Sequence, residues 1–129
     1  MDFRKATKVY QETNLSTIPV IDYVLLCLNE VLRNIEIYAE SNNPEERKEA
    51  LAKAQDLLFE LMATVDHKTA EGERLQIYYA YLNQCLIEIR IQDTPGLLEQ
   101  VALQVGELVD SWEIAKAETR KQKYTTPWI

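Results

Sequence analysis

The chain has 129 residues, 47% of them hydrophobic and 27% charged, with three glycines and four prolines; this fits one folded domain and excludes a disordered, collagen-like or low-complexity chain. Its formal net charge of -7 argues against a nucleic-acid binder, which needs a basic stripe to neutralise phosphates. The ends are basic, +1 over residues 1–16 and +3 over residues 115–129, which leaves -11 on the body between them.

Residues 1–17 lack a sustained apolar period yet hold Phe3, Val9, Tyr10 and Leu15, which a purely solvated tail would not need. The sequence therefore predicts an arm that folds back onto apolar surface. Proline then punctuates the chain at Pro19, Pro44 and Pro95, each just before a stretch of helical periodicity. Proline suits a first helical turn because its missing N–H has no partner there. Asn43 and Thr94 are suitable N-caps, and Glu46 stands three residues after Asn43 as in a capping box. A fourth break is the polar segment from His67 to Gly72.

Four helices follow, over about residues 18–40, 44–66, 72–91 and 95–121. Each carries apolar residues at alternating steps of three and four. The first has Ile21, Leu25, Leu28, Leu32 and Ile35, and the second Leu51, Ala54, Leu58, Leu61 and Val65. The third has Leu75, Tyr78 or Tyr79, Leu82, Cys85 or Leu86, and Ile89; the fourth has Leu98, Val101, Val105, Leu108, Trp112 and Ala115. Short connections make neighbours run antiparallel, and no alternating strand-like segment competes. The expected fold is all-α, an antiparallel up-down-up-down four-helix bundle over residues 18–121. Leu25, Leu28, Leu32, Leu58, Leu61, Leu82, Leu108 and Trp112 should be largely buried. Residues 122–129, polar apart from Tyr124, Trp128 and Ile129, read as a mobile tail with an apolar tip.

Cys27 and Cys85 lie inside apolar runs and read as reduced core residues. No uninterrupted apolar run, Val24 to Leu28 included, comes near the length that spans a bilayer, and no basic start with an apolar stretch and cleavage site is present, so a cytoplasmic location is expected. Chemistry finds little to work with. A di-iron bundle centre needs Glu-x-x-His pairs on two helices, but the one histidine, His67, stands at a helix end beside Asp66 and Lys68. Two distant cysteines make no zinc motif, and Gly72, Gly96 and Gly106 are too scattered for a phosphate loop. A nucleophilic Ser, Cys or Thr would lack a base. The reading is not an enzyme, with no catalytic residue, no cofactor and no metal.

What stands out is apolar surplus. A bundle helix needs an apolar stripe of about three residues in seven. Residues 20–28 of the first helix exceed it, and the third adds Ile77, Tyr81, Ile87 and Ile91 outside its seam. These four, with Val20, Val24 and Val31 of the first helix and Val9, Tyr10 and Leu15 of the arm, are the candidate partner-binding residues. A binding face for an amphipathic segment of another protein is one explanation. A helical-bundle homodimer with a structural or regulatory role and no client is the alternative, and the expected state is a monomer or a weak homodimer.

The order Val9-Tyr10-Gln11, Thr17-Ile18-Pro19, Lys53-Ala54-Gln55, Val65-Asp66, Tyr79-Ala80-Tyr81-Leu82 and Asp110-Ser111-Trp112 resembles the flagellar export chaperone family FliS over about residues 9–116. Asn29-Glu30-Val31 replaces the acidic-Gly-Ala sequence of that family's first helix, and Ala80 stands where the family has aspartate, so the resemblance is to a divergent member. It implies a four-helix bundle. It also implies a cytosolic chaperone that binds the C-terminal segment of flagellin, prevents premature polymerisation and delivers it to the flagellar export apparatus, whose gate is a candidate second partner. The family's N-terminal arm covers part of the hydrophobic surface and moves when client binds, a role that carries over to Tyr10.

Overall fold

A computed structural model describes residues 17–125, with side chains over 18–121. It contains four helices: α1 (Thr17–Glu40), α2 (Pro44–Ala63), α3 (Ala70–Gln92) and α4 (Leu97–Thr125). No strand occurs among the described residues. The helices close a ring in which α1 packs on α2 and α4, α2 on α3, and α3 on α4. The all-α four-helix bundle is thus the observed fold. The arm residues Val9, Tyr10 and Leu15 lie outside the described residues.

The helix ends show which local signals the chain obeys. Asn43 caps α2 as expected, its side chain accepting from the Glu45 and Glu46 N–H groups with Pro44 in the first turn. The Asn43 N–H donates to Ser41 Oγ, so a serine takes the place that a reciprocal Glu46 bond would fill. Helix α2 stops at Ala63 rather than 66, because the Thr64 hydroxyl donates to the Leu61 carbonyl and satisfies its open end. Helix α3 begins two residues earlier than the spacing suggested, with Thr69 as N-cap accepting from the Gly72 N–H. Helix α4 begins two residues later: Thr94 closes a turn onto Leu97, Gly96 is left-handed at φ 80°, and its carbonyl takes the first bond, from Gln100. At its other end α4 continues to Thr125, past the expected limit at 121.

The core matches the periodic seams on α2, α3 and α4 closely. Leu51, Ala54, Leu58, Leu61, Leu82, Val101, Val105, Leu108 and Trp112 are all buried, and so are Leu25 and Leu28. Leu98 of the expected α4 seam is only half-buried. On α1 the seam is displaced. It runs Ile21, Val24, Leu28, Val31, Ile35 and Tyr38, with Leu32 half-buried at its edge. Steps of three and four averaging 3.5 keep a stripe beneath neighbouring helices along its whole length. Because α1 touches both α2 and α4, the stripe is wide enough to bury Leu25 and Cys27 as well. Both cysteines are free and buried, and burial pushes the Cys27 thiol pKa up.

Two glycines separate tight backbone from open surface. A Cβ at Gly72 would stand 2.0 Å from the Asp66 carbonyl oxygen, whereas one at Gly106 meets nothing within 4 Å. Gly72→Ala should force the α2–α3 connection apart and cost about 1–3 kcal/mol. Gly106→Ala should add about 0.5–1 kcal/mol by stiffening the unfolded chain. Urea unfolding of the two variants checks this, and shifts of the same sign would contradict it.

Candidate functional site

The outer side of α3 carries the surface that the apolar surplus pointed to. Its buried face holds Leu75, Tyr79, Leu82, Leu86 and Ile89. At about 100° per residue, Ile77, Tyr81, Gln84, Glu88 and Ile91 fall within about 80° of each other on the opposite face. Ile77 is 59% exposed, Tyr81 42% and Ile91 74%. Ile87 stands beside this stripe and is half-buried. The exposed apolar positions of α3 therefore share one face, with Gln84 and Glu88 between Tyr81 and Ile91.

Tyr81 organises the middle of that line. Its hydroxyl accepts a 3.2 Å hydrogen bond from Gln100 Nε2, tying the α3 face to α4. Its ring lies 5.9 Å from that of Tyr78, tilted by 32°. A hydrogen bond with the Cys85 thiol is the main cause that raises the Tyr81 pKa, so its hydroxyl stays protonated around neutral pH. Below it, Tyr81, Gln84, Cys85, Ile87, Glu88 and Ile91 border a shallow depression of about 320 Å³. On α4, Leu103, three residues from Gln100, is 65% exposed.

The sequence-level candidates divide into groups. Ile77, Tyr81 and Ile91 share the α3 face, with Ile87 at its margin. Val20 is half-buried against the core. Val24 and Val31 are corrected: both are 0% exposed and form the α1 seam, so they cannot meet a partner on the folded bundle. The reading missed Leu103, a single off-phase leucine in an otherwise regular helix. It also missed Tyr23, Leu26 and Phe59, which are exposed on α1 and α2. The Tyr23 hydroxyl donates to the Glu60 carboxylate at 2.9 Å, which pushes its pKa up to about 12.

Among the described residues no group of three His, Cys, Asp or Glu side chains is placed to hold a metal ion, and His67 is exposed in the α2–α3 turn. No helix there is long and apolar enough to cross a membrane.

The chain is 26% identical over 118 residues to the flagellar secretion chaperone FliS of Bacillus subtilis (strain 168), an alignment covering 89% of each chain. The family model described as flagellar protein FliS matches residues 3–119, nearly the whole sequence, and the chain therefore belongs to the FliS family.

Proposed function

We propose that this protein is a flagellar export chaperone that binds the C-terminal segment of flagellin in the cytoplasm, keeps it from polymerising prematurely and delivers it to the export apparatus. The relative from Bacillus subtilis carries the name of a secretion chaperone, and membership of that family supports the role. The observation that carries the choice of surface is the exposed line Ile77, Tyr81 and Ile91 on α3. A monomeric bundle rarely leaves so many large apolar side chains in register unless another chain covers them. An amphipathic segment fits such a surface, folding as it binds and placing its own apolar side chains along the line. Its ordering costs conformational entropy, so burial of these few anchors must exceed that cost. No step of this role needs a bond to be made or broken.

The arm containing Val9, Tyr10 and Leu15 belongs to the same proposal: in the free protein it covers part of the apolar surface and gives way to client. Calorimetric titration of the full chain with the C-terminal segment of flagellin tests the reading. Saturable binding with a negative heat-capacity change is expected, the signature of apolar burial. Absence of binding, together with concentration-dependent dimerisation in sedimentation, would replace the chaperone reading by the homodimer.

A further inference from the structure

The end of the bundle where the α1–α2 and α3–α4 turns meet holds a cleft of about 510 Å³. Arg47, Lys48 and Arg90 line it, with the buried side chains of Tyr38 and Leu51 at its floor and the exposed Asp93 at its edge. Three cations against one carboxylate is an unusual gathering in a chain of net charge -7. Four cations elsewhere on the described surface have an acidic partner close by. Arg33, Lys53 and Arg74 each lie beside a glutamate of their own helix, at 3.9, 3.4 and 3.5 Å, and Lys116 pairs with Asp22. Arg47, Lys48 and Arg90 have no such partner among the described residues. Arg47 is also held in place: its guanidinium carbon sits 4.1 Å from the centroid of the Tyr38 ring, and Tyr38 is anchored in the core. A cation fixed in this way loses little side-chain freedom when it meets an anion.

We propose that this cleft docks an acidic segment of a protein partner, in which two carboxylates flank an aliphatic side chain. The guanidinium groups of Arg47 and Arg90 take the carboxylates, with Lys48 adding field, and the aliphatic group covers Tyr38 and Leu51. A protein segment suits the site better than a phosphate group. The floor is apolar, and an aliphatic side chain can cover Tyr38 and Leu51 where a phosphate has nothing to bond to. The site does not rest on the flagellin reading, since Arg90 leaves α3 on the side facing α2, away from the Ile77, Tyr81 and Ile91 line.

Titration of the isotopically labelled full chain, followed by amide chemical shifts, tests the proposal. The probe is a blocked hexapeptide carrying two glutamates around one leucine; its controls are the same peptide with glutamines for the glutamates, and inorganic phosphate. The acidic peptide should give saturable shifts centred on residues 47, 48 and 90, with affinity falling at least about fivefold from low to high salt because the partners are exposed charges. The Arg47→Gln/Arg90→Gln variant should bind about tenfold or more weakly. Equal binding of the glutamine peptide would overturn the proposal without reference to any variant. Phosphate binding as tight as that of the acidic peptide, or shifts that never saturate, would overturn it too.

Discussion

Replacing Leu58 by alanine is expected to lower the unfolding free energy by about 2–5 kcal/mol, the range for deleting a fully packed leucine and leaving a cavity. Leu58 is 0% exposed and lies in the α2 seam between Ala54 and Leu61, where α2 faces both α1 and α3. The next residue supplies the control. Phe59 is 55% exposed, so Phe59→Ala removes more atoms yet should change stability by less than about 1 kcal/mol. Domains of this kind are stable by about 5–15 kcal/mol in total, so the first change removes a large share of the margin and the second very little. Urea unfolding followed by helical circular dichroism measures both. Similar shifts in the two variants would mean that α2 does not present the face described here.

The second large effect is on binding. A partner that folds onto the α3 line draws most of its energy from a few anchors, so Ile77→Glu or Tyr81→Glu should each weaken flagellin binding by at least about 2 kcal/mol, roughly thirtyfold. Both positions are substantially exposed, and the helical content should stay unchanged. Ile87 is a poorer test because it is half-buried, so a charge there would disturb folding as well as binding. Calorimetry of the variants against the same flagellin segment gives the ratio. Wild-type affinity in both would move the client away from α3, to the exposed Tyr23, Leu26 and Phe59 on α1 and α2.

How much of this was legible in the sequence depended on how sharply each helix separates its faces. On α2 the charged residues Glu49, Lys53, Asp56 and Glu60 leave one possible phase for Leu51, Ala54, Leu58 and Leu61, and the structure adopts it. On α1 the run from Val20 to Leu28 is apolar in nearly every direction, so several phases satisfy the pattern. Contact with two neighbours then selects Val24 and Val31 for the interior, and Leu32 for the edge. Local capping chemistry was readable at Asn43, whose own side chain does the work. It was not at Pro95, where the left-handed Gly96 delays the helix. The α3 surface was visible as apolar residues in excess of one seam. The basic cleft was not, because Arg47 and Arg90 are far apart in the chain and meet only when two turns close the same end of the bundle.

Whether the exposed α3 line holds flagellin in an unpolymerised state is decided by seeded polymerisation of flagellin followed by light scattering. At a stoichiometric amount, the full chain should suppress elongation, while the folded Ile77→Glu/Tyr81→Glu variant should leave elongation near its unassisted rate. Elongation as fast with the wild-type chain as without it would contradict the account, as would full suppression by the double variant.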